Sequence, residues 1–427
     1  MPNAFSKEER VAFEDILEGF NDALVLSRNV SMYRTSGSEM ERTNNIIWRP
    51  MPYIAQSYDG MDQTNNFQNM TQLTVPATLG FQKSVPWIMD ALELRDTLQE
   101  GRLGDAAKQK LASDINLAIM AAAANLGSVV VCPNSAAGDY DDVALCDTAF
   151  NEIGVQQFDR YLALSSRDYN GMAGNLAAAT RSFGNKMSDD AYRKGFVGTV
   201  AGFETYKFDY ANRIRGVTGS NTTMSTLAVA GNYWVPQATR VAVTGESSNV
   251  DNRFQTITVA SNADLLAGDA VTIAGVNSVH HITKSDTGNL KTFRIVSVGG
   301  SNTVVITPAI VSAQGGSDAE LQYQNCVVVP NGSATVTRLN LNAAPINCFW
   351  QKDALEILPG RYAVPSDAGA AVMRASTDQG IELVMQKQYE VNNMKTKFRL
   401  DTLFGVVNKQ PEMSGILLFG TQVPTPA

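Results

Sequence analysis

The sequence predicts an α+β chain with an all-β barrel inserted into it, and three observations carry that prediction. A single strong helical pattern runs from Asp105 to Leu126. Residues 217–340 form a separate compositional block, rich in Val, Thr, Ser, Gly and Asn. The block holds six basic and seven acidic residues, while the other 303 residues carry 63 charges. Mixed helical and strand patterns resume on both sides of it, so the block is expected to interrupt a host domain.

Taken in order, the N-terminus reads as a helix. Ser6 followed by Glu9 fits a capping box, and Val11, Phe13, Ile16, Leu17 and Phe20 give an apolar stripe that must dock on something. Residues 31–80 turn polar, with strand-like pieces at 45–49 and 72–76. That is the layout of a two-stranded excursion with a polar tip, and few side chains in it could anchor it to a core. In the helix, Ala107, Leu111, Ile115, Ile119, Ala122 and Leu126 share one face. Asp105 is placed to cap its start and Gly127 its end, over roughly 33 Å. "AAAANLG" at 121–127 predicts a close packing partner, and "SVVVCP" after it a buried strand. Residues 137–215 mix short helices with loops. In the block, strands are expected at 238–244, 254–260, 270–276, 292–298, 303–307, 325–329 and 334–339, separated by turns such as Gly268-Asp269 and Asn331-Gly332. "CFWQKDALEIL" and "IELVMQKQY…KTKFRLDTLFGVVN" then return to the host as strands, and the tail "GTQVPTPA" is expected to fray.

Composition bounds the function. The 427 residues suffice for a large core, and the net charge of −8 argues against coating nucleic acid by bulk attraction. The opening "MPNAFSKEERVAF" lacks the apolar core of a signal peptide. No run of about 18 apolar residues appears, so no membrane span is expected. Cys132, Cys146, Cys326 and Cys348 form no C-x-x-C pair and read as small buried hydrophobes in a reducing cytoplasm.

No catalytic centre, cofactor site or metal site is expected. His280 and His281 are the only histidines and are adjacent, so on a strand they face opposite ways; one exposed and one half-buried side chain is expected. The usual phosphate-loop, dinucleotide, nucleophile-elbow and zinc-protease motifs are absent. "DYDD" at 139–142 lacks the Gly and Glu of a calcium loop and reads as a solvated turn. The stretch "NVDNRFQTITVAS" at 249–261 sets Asp251 and Arg253 two apart in a charge-poor region. Asp251 and Asn252 favour a turn, and an extended Asp251 and Arg253 would share a face and pair. An inter-subunit contact is the other reading.

The whole pattern resembles the major coat protein of tailed bacteriophages with the Hong Kong 97 type fold. More narrowly, it resembles the branch of the short-tailed Salmonella transducing phages, which carry an inserted β-barrel I-domain. "MERTNNIIWRP" carries the likeness at Met40, Arg42, Asn45, Ile47, Trp48 and Pro50. "KLASDINLAIMAAAANLGSVV" carries it at Lys110, Leu111, Ala112, Leu117, Gly127 and Ser128. "AYRKG" and "VAGF" follow. "NVDNRF", Thr256, Thr258, Gly268-Asp269, Ala274-Gly275-Val276 and Ile306-Thr307-Pro308 lie in the insertion. Asn347, Phe349, Trp350, Asp353, Ala354 and Ile357 lie after it.

The resemblance implies a division into an N-arm helix (1–37), an E-loop (38–80) and a peripheral domain with a spine helix (81–127). An axial domain (128–216), the I-domain (217–340) and a return to both host domains (341–427) complete it. It implies a non-enzymatic shell subunit that forms pentamers and hexamers of an icosahedral head. Assembly would use a scaffolding protein and a portal protein in the host bacterial cytoplasm, and the shell would expand as it encloses double-stranded DNA without sequence preference. Residues implied to act between subunits or in the subunit's frame are Arg42, Asn45, Trp48, Leu111, Ile115, Glu246, Asp251, Arg253 and Trp350. The family's intercapsomer loop would fall at Val243–Val250, with Glu246 its only carboxylate before Asp251, so Asp251 and Arg253 are expected to hold its base. Some relatives cross-link through a Lys–Asn bond, and none is expected here. Other classes that fit the sequence are an encapsulating shell of non-phage origin and a glycan-binding tail or adhesin component.

Overall fold

The helix foreseen from Asp105 begins earlier, at Thr97, and runs to Leu126 over 30 residues, about 45 Å at the usual rise. Asp105 therefore caps nothing; it pairs with Lys108 at 2.8 Å one turn on. The computed structural model describes residues 7–33, 46–52, 55, 57–64, 66–90, 97–133, 135–138, 140–176, 197–208, 212–216, 223–363 and 370–420. Ser6, Arg42, Asn45, "AYRKG" and the C-terminal tail from Thr421 lie outside them.

The chain divides into two units, one of residues 1–47, 76–121 and 356–407, the other of 48–75, 122–355 and 408–427. In the first, the helix Lys7–Ala23 buries Phe13, Ile16 and Phe20, while Val11 stays 57% exposed. The expected stripe is thus narrower by one residue. Glu9 forms an ion pair with Lys387, and Asn116 of the long helix donates to the Ala23 carbonyl at 3.3 Å. Leu111, Ile115 and Ile119 on that helix are wholly buried.

This unit's sheet orders Ser31–Met32, Leu355–Pro359, Lys395–Asn408, Glu382–Glu390 and Ala371–Ser376, with Phe81–Asp90 also paired to Lys395–Asn408. The ten-residue strand Phe81–Asp90 went unread because Pro86 interrupts it. It pairs from Phe81 opposite Phe404 to Asp90 opposite Lys395, and stacks Phe81 on Phe404 and Trp87 on Phe398 at 5.2 and 5.6 Å. Pro fits a strand edge, where a missing N–H leaves no ladder bond open.

In the second unit, a six-stranded sheet orders Val129–Val131, Ser414–Leu417, Asn347–Gln351, Arg160–Leu164, Phe203–Lys207 and Thr199–Val200. The helices Tyr140–Ile153 and Ser166–Leu176 belong to the same unit, and Phe150, Phe203 and Phe349 meet in its core at 4.8–6.0 Å. "DYDD" is no turn: from Tyr140 it is helical, and Asp142 accepts from the Gly138 amide at 3.0 Å. At the helix's end Gly127 serves a close approach, since a Cβ there would stand 2.6 Å from the Ala123 carbonyl and 3.1 Å from the Gly415 nitrogen.

The block between 217 and 340 contains an antiparallel barrel. Its strands run Thr223–Thr226, Thr335–Arg338, Ala270–Val279, Asp286–Val298, Thr303–Thr307 and Gln255–Thr258. A bridge between Leu227 and Val259 joins the first to the last, flanked by Ala228 N to Thr258 O at 3.0 Å and Ala260 N to Thr226 O at 2.8 Å. Closure leaves no edge strand open. Ile257, Ile273, Phe293, Ile295, Val304, Ile306 and Val336 fill the interior. The expected strand at 325–329 is only a bridge at Cys326. There the Val279 amide bonds the Asn325 carbonyl and the Val327 amide the Asn277 carbonyl, and the Asn325 side chain bonds the Val311 amide and the Ala309 carbonyl. A helix, Asp318–Tyr323, went unread although "SDAE" spells its capping box.

Candidate functional site

The stretch from 249 sits at the foot of a projecting hairpin. Thr239–Val241 pairs with Ser247–Asn249, so the arm begins before Val243, where the loop was expected. Glu246 lies at its turn and its carbonyl accepts from the Ala242 amide at 2.8 Å; Gly245 supplies the positive φ of +89° that the turn needs. Every residue from Thr239 to Asn249 is exposed, Val243 completely. A lone two-stranded hairpin is marginal in water, so its foot must be fixed.

Asn252 fixes it. Its Oδ1 accepts from Trp234 Nε1 and the Gln237 amide, both at 3.0 Å, and its Nδ2 donates to the carbonyls of Gln237 and Val250 at 2.9 and 3.1 Å. Both ends of the hairpin thus meet in one side chain whose hydrogen-bonding capacity is used in full. Asp251 and Arg253 do pair: Arg253 Nε reaches Oδ1 at 2.9 Å and Nη2 reaches Oδ2 at 2.6 Å. The fork leaves Nη1 to donate to the Asn408 carbonyl at 2.7 Å, tying the hairpin's foot to the C-terminal segment. Within the chain, Asp251 orients a buried Arg253 that clamps barrel to host.

Two further clusters join the barrel to the host. At the junction, the buried Asp269 carboxylate receives Arg215 Nε and Nη2 at 3.1 and 2.8 Å, Arg338 Nη2 at 2.9 Å, Asn340 Nδ2 at 3.2 Å and the Leu266 amide at 3.0 Å. Asn340 also donates to the Arg215 carbonyl at 2.8 Å, so the incoming and outgoing connectors are stitched together. Burial alone would raise the Asp269 carboxyl, but the hydrogen bonds and the two guanidinium charges outweigh it and hold it below the usual range.

At the base, Lys291 forms a buried ion pair with Glu412, and His281 Nε2 lies 3.4 Å from the same carboxylate. His281 is buried and His280 half-buried, where one half-buried and one exposed side chain are expected; the His281 amide donates to the Ile153 carbonyl at 2.9 Å. Burial pushes its imidazole down to about 4, against the pull of Glu412. Thr292 Oγ1 donates to the Ser128 carbonyl at 2.6 Å beside it.

These clusters bind barrel to host and hold no reaction centre. Burial pushes the thiols of Cys132, Cys326 and Cys348 up to about 12, far from a reactive thiolate. Among the described residues no group of three His, Cys, Asp or Glu is placed to hold a metal, and no helix is long and apolar enough to cross a membrane. Of the residues singled out from sequence, Leu111, Ile115 and Trp350 lie buried in their own chain, Trp48 is half-buried, and Arg42 and Asn45 fall outside the described residues. In sequence, Asn252 and Asp269 are legible only as turn residues and as part of the family likeness, and Lys291 and Glu412 carry no local motif.

Comparison with known proteins identifies the family. The family model for "P22 coat protein - gene protein 5" matches residues 1–420. Among solved structures, the chain is similar to the CUS-3 coat protein I-domain at 38% identity, over 29% of this chain and 99% of that one, with a TM-score of 0.23. It is also similar to a chain of Mycobacterium phage Che8, at 10% identity over 93% and 90% of the two chains, TM-score 0.41. A third is the capsid of the Cyanophage P-SCSP1u, at 10% identity over 92% and 86%, TM-score 0.42. With the family model covering nearly the whole length, the chain belongs to the P22 coat protein family, phage capsid proteins and not enzymes, with an α+β fold of the Hong Kong 97 type and an inserted barrel.

Proposed function

We propose that this coat protein forms the pentamers and hexamers of an icosahedral phage head. In this reading it assembles with a scaffolding protein and a portal into a procapsid in the host cytoplasm, and the shell expands as double-stranded DNA is packaged. The observation that carries the reading is the family match across residues 1–420. The chain's own physics supports it. Among the described residues, buried ion pairs at Arg253, Lys291 and Arg338 lie where the barrel joins the host. Its exposed hairpin carries Val241 and Val243 into solvent, surface that makes sense once a neighbour covers it. The net charge of −8 suits a container that must not clamp its DNA. The division into N-arm, E-loop, peripheral, axial and inserted domains given above is part of the proposal, as is the role of 38–80 in reaching an adjacent subunit.

Electron microscopy of the protein expressed alone and with a scaffolding protein tests this. Closed shells of uniform diameter, or irregular shells made uniform by scaffold, are expected. Dispersed monomers or small rings under both conditions would overturn it. Trp48, half-buried on the strand Ile46–Pro50, gives a finer test. Trp48→Ala should raise the concentration needed for shells several-fold while changing subunit stability by no more than about 1 kcal/mol. An equal loss in both measurements would place Trp48 in the subunit's own core.

A further inference from the structure

Few side chains of the polar excursion offer an anchor to a core. Instead its returning limb lies against the short barrel helix Asp318–Tyr323. The Asn69 amide donates to Asp318 Oδ2 at 2.9 Å, the Thr71 amide donates to Gln322 Oε1 at 3.1 Å, and Tyr323 donates its hydroxyl to the Thr71 carbonyl at 2.9 Å. The spacing has a physical logic. Amides two apart on an extended chain recur at about 6.6 Å, and side chains four apart on a helix stand about 6 Å from each other. Asp318 and Gln322 are four apart, so one helix face matches every second amide of the limb.

The helix is held for this task. Ser317 and Glu320 close its capping box, and Lys284 Nζ donates to the carbonyls of Gln322 and Gln324 at 2.8 and 3.2 Å at its other end. Gln322 is buried and Asp318 sits at the first turn. On the limb, by contrast, Phe67 and Met70 are 88% and 60% exposed. The helix grips the backbone and leaves the apolar side chains outward.

We propose that the inserted barrel acts as a latch that preorganises the excursion of its own subunit, holding residues 69–71 through backbone contacts so that Phe67 and Met70 are presented to a second copy of this chain. The presentation rests on the capsid reading above; the latch itself rests only on contacts inside one chain. Ordering the limb before association removes part of the entropy cost that docking would otherwise carry. In these bonds the limb contributes main-chain groups, and Phe67 and Met70 stay exposed for the neighbour.

Hydrogen exchange on the full-length subunit, read by mass spectrometry over residues 66–73, tests the latch. In the unaltered chain these amides should exchange more slowly than free peptide. In the Gln322→Leu, Tyr323→Phe double variant the rate should rise roughly 5- to 30-fold, the range for losing one or two net hydrogen bonds. Gln322→Glu keeps an acceptor and should retain the protection. The barrel strand Asp286–Val298 should be unchanged in all three, which separates release of the limb from unfolding. Equal rates at 66–73 in the double variant and the unaltered chain would overturn the latch. Faster exchange with an unchanged assembly threshold would overturn the presenting role. Absence of shells from the unaltered protein would instead be the failure of the capsid reading.

Discussion

Asp269→Ala should cost about 3–5 kcal/mol of subunit stability, the range for removing one partner of a buried charge cluster. The cost comes from what is left behind. Arg338 is buried and its Nη2 would lose the carboxylate 2.9 Å away, keeping only the Asp264 carbonyl. Asn340 would lose one of its two acceptors, and the Leu266 amide its only side-chain one. Arg215 is 39% exposed and can turn to water, so its share is the smallest. Asp269→Asn keeps the shape and one acceptor oxygen, and should cost roughly half as much. Urea denaturation of the subunit, followed by fluorescence, measures both. A loss under about 1 kcal/mol for alanine would show that the connectors are held by the sheet Ala344–Pro345 with Arg213–Ile214 and not by the carboxylate.

How far the fold could be read depended on the range of the interactions involved. The barrel strands at 255–258, 270–279 and 303–307 were visible because alternation and turn residues are local signals. The long helix was placed by its stripe, but its first turns were missed because "TLQEGRLG" has too few apolar residues to show a face. Phe81–Asp90 was missed because its partner lies some 300 residues away in sequence and Pro86 breaks its pattern. The joints were least legible of all. The Asp251–Arg253 pair could be suspected from a spacing of two. That Arg253 also reaches Asn408, or that Lys291 meets Glu412, depends on the closed barrel lying against a host strand. No local pattern encodes that. The excursion has few side chains that could anchor it to a core. The anchor is its backbone, which every sequence possesses.

The joint at Glu412 makes a different kind of prediction, one about pH. His281 carries a folded value of about 4 against about 6.5 in an unfolded chain, chiefly because it is buried, and the nearby Lys291, Lys284 and His280 push the same way. Between those values the unfolded chain takes up a proton that the folded one refuses. The stabilisation is therefore complete above about pH 6.5 and falls as the pH drops toward 4, by roughly 3 kcal/mol in all. Glu412 enters later. Burial raises its carboxyl, but Lys291 and His281 outweigh this and its value lies below the ordinary one, so its contribution is present above about 4.5 and lost as the pH falls through its folded value. Acid weakening of the barrel's seat should thus begin near pH 6.5, two units before carboxylates titrate. Stability measured by urea denaturation at intervals from pH 7.5 to 4.5 should fall steadily in the unaltered chain. In His281→Gln the same range should be nearly flat, since glutamine fills the space with no proton to gain. If the variant keeps the full slope, the pH dependence originates elsewhere and His281 is only packing. If it loses the slope, the seat of the barrel is the subunit's acid-sensitive joint, because this imidazole is enclosed between the Ile153 carbonyl that fixes its backbone and the carboxylate that Lys291 already occupies.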